Sequence, residues 1–351
     1  MRKLASIQRI WKIEPIENAD NIELAYVKGW QVVVNKNKFK PMDLAVYFEI
    51  DSFLPIREEF EFLRASSYKK TDVMGEGFKL KTVKLRGKLS QGLLERIDTF
   101  PELRNIDIEL YKDVSDLLGI RQYEIEERIT TAGTMLGKLP YFVPHTDETR
   151  IQNEPSLLNE FANKEYYIST KMDGSSHSIG VDENGLHITG HNYEYKDDGS
   201  FAFYNLVKER QLNEKVLSYY KNSNLDTLVI QGELCAPGIQ RNRLKLIKPE
   251  WYVFTIIEDG ERVGLDRMLD ICNELDMKHV PIEEREYDLP SKYPNVESLL
   301  LRADGDYPNG GKKEGIVVRT TKPEYCELIC APLSMKVINN NYLLRSEWIY
   351  E

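Results

Sequence analysis

A lysine and an acid stand close together in the run 170–176 (TKMDGSS), which follows the apolar and aromatic residues 166–168. Lys171 lies at the end of a predicted strand, beside the tight turn that Gly174 favours. A lysine desolvated in such a place can lose its proton and attack phosphorus as a neutral amine. The run therefore predicts covalent chemistry at Lys171, although so short a motif also occurs as an ordinary surface turn.

Three segments downstream each combine an apolar strand with an acid or a lysine. Glu233, Glu314 and Lys336 lie in these segments, and the aromatic-rich run 251–256 between them contains Phe254. Phosphoryl transfer needs a nucleophile, cations on the phosphate oxygens and carboxylates that hold a divalent metal. Each residue alone is an ordinary strand-end residue, but their order within one domain predicts nucleotidyl transfer.

The residue types suggest a role for each side chain. Lys171 would be the nucleophile, Lys336 would neutralise the α-phosphate, and Phe254 would stack on the base. The carboxylates expected around the metal, directly or through its waters, are Asp173, Glu233 and Glu314.

The N-terminal third of the chain has the pattern of short strands separated by turns. Strands are predicted at 22–27, 30–35, 44–50, 78–85 and from 92 onward. Their number and length predict a small closed barrel, with an OB-fold as the leading candidate. The run 78–85 alternates and would place several cations on one side of a strand. The segment that follows it (RGKLSQGL) is either a hairpin or a loop that meets phosphates.

The remainder of the chain alternates strands with a few helices but has no βαβ repeat, which predicts an α+β domain with antiparallel sheets. A short helix is expected at 156–161. The predicted organisation is an OB-fold domain at 1–118, a linker and connector at 119–155, and a nucleotidyltransferase domain at 156–351.

Composition excludes several classes of protein. Among 351 residues, 41% are hydrophobic and 30% charged, and no apolar run approaches the roughly 20 residues that cross a bilayer. The net charge of −10 argues against a dedicated duplex-DNA binder but does not exclude a basic groove on an acidic body. The four cysteines form no CxxC pair, which fits reduced thiols in the cytoplasm or another reducing compartment.

The order of these motifs resembles the covalent nucleotidyltransferase superfamily of ligases and RNA capping enzymes. Within it, the chain resembles ATP-dependent RNA ligases with an N-terminal OB module, the fifth RNA ligase family. The matching motifs are KMDGSS, the connector TDETRIQN, GEL, EGIVVR, KVIN and RGKLSQGL. The resemblance covers nearly the whole chain. It implies an N-terminal all-β OB-fold barrel and an α+β nucleotidyltransferase domain with antiparallel sheets, an ATP-grasp-like ligase fold.

The resemblance also implies an activity. ATP would adenylate Lys171, AMP would pass to an RNA 5′-phosphate, and a 3′-hydroxyl would then attack the activated end. Mn²⁺ or Mg²⁺, two ions in all, would assist, and Asp173, Glu233 and Glu314 would hold metal through waters. The enzyme would be a monomer, and it would not associate with a membrane. The residues implied to bind ATP are Arg150, Gln152, Asn153, Asp173, Gly174, Asn192, Glu233, Phe254, Glu314 and Lys336.

Two positions depart from the superfamily pattern. Ser176 stands where DNA ligases and capping enzymes often carry arginine, which favours the RNA ligase branch. Ser334 stands where several relatives carry the first of two lysines, so one cation clamp is missing or another residue supplies it. We further expect the metal and Lys336 to lower the pKa of Lys171.

Three other functions stay open from sequence. The first is a nick-sealing ligase that acts on duplexes with 3′-RNA ends, or on DNA. The second is a capping guanylyltransferase, which would use GTP. The third is a non-catalytic RNA-binding protein whose OB module and basic groove bind strands.

Overall fold

A computed structural model describes residues 2–123 and 134–346. The chain divides into two compact units. The first comprises Met1–Glu126, Gln152–Pro155 and Leu343–Glu351, and the second comprises Glu127–Ile151 and Ser156–Tyr342. The linker predicted at 119–155 lies partly outside the described residues, and the predicted domain boundaries stay a prediction.

The first unit is built almost entirely of antiparallel strands. One sheet has the order β10-β4-β1-β2-β3, a second has β11-β5-β7-β6, and β8 and β9 form a separate hairpin. Short 3-10 turns (Glu58–Leu63, Ile97–Thr99, Pro101–Asn105) connect them. The elements are β1 (Ala5–Pro15), β2 (Ile22–Val27), β3 (Trp30–Asn35), β4 (Leu44–Phe48), β5 (Ser52–Leu54), α1 (Arg64–Ser67), β6 (Tyr68–Thr71), β7 (Gly75–Lys79), β8 (Thr82–Leu85), β9 (Lys88–Gln91), β10 (Leu93–Glu95) and β11 (Arg121–Gln122).

Local sequence explains much of this unit. Lys28 has a φ of 50° and precedes Gly29, so the two residues form the tight turn that joins β2 to β3. Alternating residues of β3 are buried, with Trp30 fully enclosed. Burial of such a side chain contributes about 2 to 3 kcal/mol.

One predicted strand of this unit is wrong in detail. The run 78–85 is interrupted at Leu80 and Lys81, so its first part belongs to β7 and its last part to β8. The backbone of Leu80 instead forms two hydrogen bonds outside the strand: its carbonyl oxygen accepts from the Asp51 amide, and its amide donates to the Ser52 carbonyl oxygen. The predicted row of cations along a single strand is therefore divided between two sheets.

The second unit contains two larger antiparallel sheets. The seven-stranded sheet has the order β12-β16-β15-β14-β17-β18-β19, and the four-stranded sheet has β20-β13-β21-β24. The strands are β12 (Met135–Lys138), β13 (Glu165–Lys171), β14 (Ser175–Asp182), β15 (Gly185–Thr189), β16 (Tyr193–Tyr195), β17 (Leu228–Cys235), β18 (Glu250–Glu258), β19 (Glu261–Arg262), β20 (Ile282–Tyr287), β21 (Gly315–Thr320), β22 (Tyr325–Cys326), β23 (Ala331–Pro332) and β24 (Ser334–Ile338).

Helices cover these sheets and complete two apolar cores. One core packs α3, α4 and α5 against the seven-stranded sheet, and the other packs α2, α6 and α7 against the four-stranded sheet. The helices are α2 (Leu157–Glu160), α3 (Ala202–Glu209), α4 (Leu212–Ser223), α5 (Leu265–Glu274), α6 (Leu289–Lys292), α7 (Val296–Ala303) and α8 (Asn340–Ser346). No helix in the described ranges is long and apolar enough to cross a membrane.

Strand β13 is central to the four-stranded sheet, since it pairs with β20 on one side and β21 on the other. Its middle residues are buried, its first residue, Glu165, is exposed, and its last residue, Lys171, is partly open. Lys171 pairs with Gly315, whose backbone lies so close to β24 that a Cβ there would meet the Val337 carbonyl oxygen at 2.1 Å. The sheet register thus requires glycine directly after Glu314.

Candidate active site

The side chains of Lys171 and Glu314 meet at the ends of two paired strands. Lys171 Nζ lies 2.8 Å from a carboxylate oxygen of Glu314, and the two side chains are 24% and 18% exposed. The buried Tyr307 hydroxyl donates to the Lys171 carbonyl oxygen at 2.7 Å and accepts from the Glu314 amide at 3.1 Å. One hydroxyl therefore fixes the backbone of both residues, and Tyr307 is a contact that sequence reasoning missed.

Two further carboxylates surround this pair, and the pKa shifts record an excess of negative charge. Burial alone would lower the pKa of Lys171, but Glu314 and Glu233 outweigh it and raise this pKa. Burial raises the pKa of Glu233 to about 8, with Lys171 opposing and Glu314 and Asp173 contributing. Burial and the Glu314 charge likewise raise the pKa of Asp173.

The expectation from sequence is that the metal and Lys336 together lower the pKa of Lys171. Among the side chains alone the net shift of this pKa is upward, and the expectation for the site with metal stays a prediction. Burial, followed by the charge of Lys171, lowers the pKa of Lys336 instead. The upward pKa shift at Lys171 has a direct physical cause, since the carboxylate of Glu314 contacts its amine at 2.8 Å.

Asp173 occupies the turn after β13 and is held from two sides. The Tyr342 hydroxyl donates to one carboxylate oxygen at 2.8 Å, and Arg243 Nε lies 3.4 Å from the other. The Arg243 guanidinium also sits 4.1 Å from the centre of the Tyr342 ring. Gly174 follows without a side chain because a Cβ would meet the Leu234 carbonyl oxygen at 2.4 Å.

A pocket opens between the two sheets of the second unit. The four-stranded sheet contributes Lys171, Lys336 and Val317, and the seven-stranded sheet contributes Glu233 and Phe254. The remaining side chains that line it are Thr146, Asp147, Glu148, Ser169, Thr170, Met172, Ser176, His191, Val280 and Arg319. An aromatic ring, an aliphatic side chain and two lysines around one pocket suit a base with a phosphate attached.

A balanced ionic cluster lies elsewhere in the pocket wall. Glu148 accepts hydrogen bonds from Arg319 Nε at 3.1 Å and from the Ser334 hydroxyl. Arg319 also donates to the Phe254 carbonyl oxygen and to the Thr255 hydroxyl. Burial opposes ionisation of Glu148, but Arg319 outweighs it and lowers its pKa. Arg319 is thus a buried cation next to Ser334, the position at which several relatives carry lysine.

The remaining predicted residues fall into different surroundings. Arg150 is buried, and the chain around it runs beside Lys336, whose amide donates to the Thr149 carbonyl oxygen at 2.8 Å. Asn192 is exposed and does not line the pocket, although its neighbour His191 does.

Gln152 and Asn153 belong to the first unit. The Asn153 side chain accepts from the Trp30 indole at 2.9 Å and donates to Glu49 at 3.2 Å. The Gln152 carbonyl oxygen accepts from the Gly29 amide at 3.0 Å. Within the second unit, the structure brings Lys171, Asp173, Glu233, Phe254, Glu314 and Lys336 together.

The carboxylates fit a divalent cation that is held through waters. One buried oxygen of Asp173 has no hydrogen-bond partner, although Arg243 lies 3.4 Å from it. Burial, with the Glu314 charge contributing, raises the pKa values of Asp173 and Glu233. Across the described residues, no three His, Cys, Asp or Glu side chains are placed to ligate a metal directly. Water-mediated binding is common for Mg²⁺, which keeps several waters.

The class of protein follows from two family models. One described as RNA ligase matches residues 164–338, and one described as an OB-fold domain matches residues 4–97. The chain belongs to the RNA ligase family, and it carries an N-terminal OB-fold domain.

Solved structures of Naegleria gruberi RNA ligase are similar over almost the whole chain. The ligase with PPi is 30% identical, with a TM-score of 0.86 and 98% of each chain covered. A lysine-to-alanine variant with ATP and Mn is 29% identical, with a TM-score of 0.86 and coverage of 97% of this chain and 98% of that one. A glutamate-to-alanine variant with AMP and Mn is 30% identical, with a TM-score of 0.85 and the same coverage.

No curated protein sequence matches the chain. The family matches and the solved structures nevertheless confirm the predicted resemblance to RNA ligases. They also confirm the predicted fold class, an OB-fold followed by an α+β ligase domain.

Proposed function

We propose that this protein is an ATP-dependent RNA ligase that joins 3′-hydroxyl and 5′-phosphate RNA ends through a covalent AMP on Lys171. The observation that carries the proposal is the contact of Glu314 with Lys171, which lines a pocket together with Glu233, Phe254 and Lys336. Naegleria gruberi RNA ligase, similar along its length, has been solved with ATP and Mn and with AMP and Mn.

The first step uses the nucleophile and the cation beside it. The Lys171 amine attacks the α-phosphorus of ATP, so that a P–N bond forms and the bond to pyrophosphate breaks. Glu314, 2.8 Å from Nζ, is within reach of the proton that must leave. Lys336 lies where it can neutralise an α-phosphate oxygen, and Phe254 offers a ring face to adenine.

The second and third steps return the enzyme to its starting state. An oxygen of the RNA 5′-phosphate attacks the AMP phosphorus, the P–N bond breaks, and Lys171 is released. The 3′-hydroxyl of the other end then attacks the activated 5′-phosphate and expels AMP, which leaves a phosphodiester. A monomer is the proposed working form.

The acidic residues would hold Mn²⁺ or Mg²⁺ through waters. Asp173, Glu233 and Glu314 are the side chains for this role, and a bound cation would offset the negative charge that raises the pKa of Lys171. The protein itself contributes three things besides the metal ligands. Lys171 is the nucleophile, Tyr307 holds its backbone in place, and the Lys336 amine supplies positive charge for the phosphate.

The test of the covalent step is transfer of label from α-labelled ATP to the protein in the presence of Mn²⁺ or Mg²⁺. We expect a labelled adduct that Lys171→Ala reduces by more than about 1,000-fold, since no other nucleophile replaces the amine. Lys221→Ala, which removes an exposed lysine on α4, is the matched control. A normal adduct on the Lys171 variant would contradict the assignment.

Substrate comparisons separate the alternatives. Sealing of single-stranded RNA ends is to be compared with sealing of nicked duplexes that carry 3′-RNA or 3′-DNA at the nick. Preference for the duplexes would indicate a nick-sealing ligase, and adduct formation with GTP rather than ATP would indicate a capping enzyme. RNA binding without any adduct would indicate a non-catalytic binding protein.

A further inference from the structure

The loop that joins β17 to β18, residues 236–249, has an unusual and well-supported backbone. Gln240, Asn242 and Lys245 have φ values of 48°, 45° and 53°, in the left-handed region that non-glycine residues seldom adopt. The Asn242 side chain stabilises the loop by accepting from the Leu246 amide at 2.9 Å and donating to its carbonyl oxygen at 2.8 Å. Strained backbone of this kind concentrates at functional sites.

One side of the loop is attached to the turn that follows the nucleophile. Gln240 donates to the Gly174 carbonyl oxygen at 3.3 Å, and Arg243 lies 3.4 Å from the Asp173 carboxylate. The loop therefore has a fixed position relative to the proposed AMP site.

Apolar packing and a backbone contact add to this attachment. Leu244 and Leu246 pack against a small buried cluster that includes Met172, the residue directly after the nucleophile. The Arg243 carbonyl oxygen accepts from the Gly311 amide at 2.8 Å. The loop is thus a rigid extension of the active-site wall.

The other side of the loop presents cations and an aliphatic side chain to solvent. Ile247 is 95% exposed, and Lys245 and Lys248 on either side of it are exposed as well. In the part of the chain that the structure describes, neither lysine has an acidic partner within ion-pair distance, although the chain as a whole is acidic. Fixed, uncompensated cations next to an apolar side chain suit a ligand with a phosphate backbone and exposed bases.

We infer that this loop binds an RNA strand next to the adenylated lysine, with Lys245 and Lys248 on phosphates and Ile247 against a base or ribose. The inference rests on the proposed function and adds a strand-binding site to it. The loop contributes no side chain to the nucleotide pocket, apart from Arg243 behind Asp173. It should therefore act in the steps that use RNA and leave formation of the lysine adduct unaffected.

The first test is Lys245→Ala/Lys248→Ala in the full-length chain. We expect the rate of adduct formation from ATP to stay within about twofold, while sealing of a 5′-phosphorylated single-stranded RNA falls about tenfold. Binding of that RNA should weaken, and the slope of its log affinity against log salt should fall by about 1.4, since each phosphate contact contributes about 0.7. Lys221→Ala removes an exposed lysine elsewhere and should change none of these quantities.

The second test is Ile247→Ala, which should reduce sealing several-fold without changing the salt slope. Leu301→Ala, at an apolar side chain on α7 that is 73% exposed, is the matched control. Normal sealing by both loop variants would overturn the inference. Equal losses of adduct formation and sealing would also overturn the inference, because the loop would then act only by holding the turn after Lys171 in place. Absence of an adduct in the unsubstituted protein would instead contradict the proposed function.

Discussion

Two partly buried lysine–glutamate pairs, Lys171 with Glu314 and Lys313 with Glu283, lie close together at the four-stranded sheet. Lys171 and Glu314 meet in the pocket, whereas Thr170 and Lys313, their immediate neighbours, contact Glu283 on β20. Thr170 and Lys171 are adjacent on β13 and therefore point to opposite faces, Lys313 and Glu314 are adjacent just before β21, and β20 supplies Glu283. Similar residues thus face two different environments.

The two faces differ in charge balance. Glu283 accepts both from Lys313 at 2.8 and 2.9 Å and from Arg302 at 2.7 Å. Burial opposes its ionisation, but these hydrogen bonds outweigh burial and lower its pKa. On the pocket face, burial raises the pKa of Glu233 to about 8, with Glu314 and Asp173 contributing and Lys171 opposing. The balanced face suits stability, and the unbalanced face suits binding of phosphates and metal.

The largest effect that separates the two faces is expected from Glu314→Gln. Adduct formation should fall about 100-fold or more, because the carboxylate next to the nucleophile is lost. The free energy of unfolding should stay constant or rise, since one of several mutually repelling carboxylates is removed. Adduct kinetics and urea unfolding of the same preparation measure both quantities. A marked loss of stability would contradict the view of this face as electrostatically frustrated.

Glu283→Gln should have the opposite effects to Glu314→Gln: a lower free energy of unfolding but nearly unchanged adduct formation. It leaves Lys313 and Arg302 without their shared carboxylate, which should lower the free energy of unfolding by about 3 kcal/mol. Adduct formation per folded molecule should stay within about threefold of the unsubstituted protein. If adduct formation falls as far as in Glu314→Gln, then Glu283 positions the nucleophile, and the two faces are not independent.

A smaller effect is expected when the balanced pair is replaced as a unit. Lys313→Met/Glu283→Leu removes both charges, and apolar side chains of similar volume often replace a buried ion pair at little cost. We expect the free energy of unfolding to recover to within about 1 to 2 kcal/mol of the unsubstituted protein, since Arg302 loses Glu283 but keeps Glu284, 3.6 Å from its Nε. Urea unfolding beside the single variant measures the recovery, and a double variant no more stable than Glu283→Gln would contradict it.

The smallest effect is a pH dependence. The folded-state pKa of Glu283 lies below its ordinary value of 4.5, so its stabilising contribution is present above that pH and is lost as the pH falls through the folded-state pKa. The difference in unfolding free energy between the unsubstituted protein and Glu283→Gln should therefore narrow below pH 4.5. A difference that stays constant from pH 7 to pH 3 would show that Glu283 does not titrate in this way.

Sequence alone predicted the strands that carry the site because their signals are local. The runs at 228–234 and 251–256 lie within β17 and β18, and each has the apolar, β-branched and aromatic character of a buried strand. The run 78–85 was wrongly predicted as one strand because apolar and charged residues continue to alternate across the break at Leu80, where the chain passes from one sheet to another.

The sequence by itself determined the order of chemically active residues, since Lys171, Glu233, Glu314 and Lys336 each lie in a recognisable local motif. Only the tertiary structure decided their electrostatics. Contacts such as Tyr342 with Asp173, 169 residues apart, and Arg319 with Glu148, 171 residues apart, leave no local signal. The sign of the Lys171 pKa shift depends on which charge comes closest in space, and the fold placed a carboxylate there rather than a lysine.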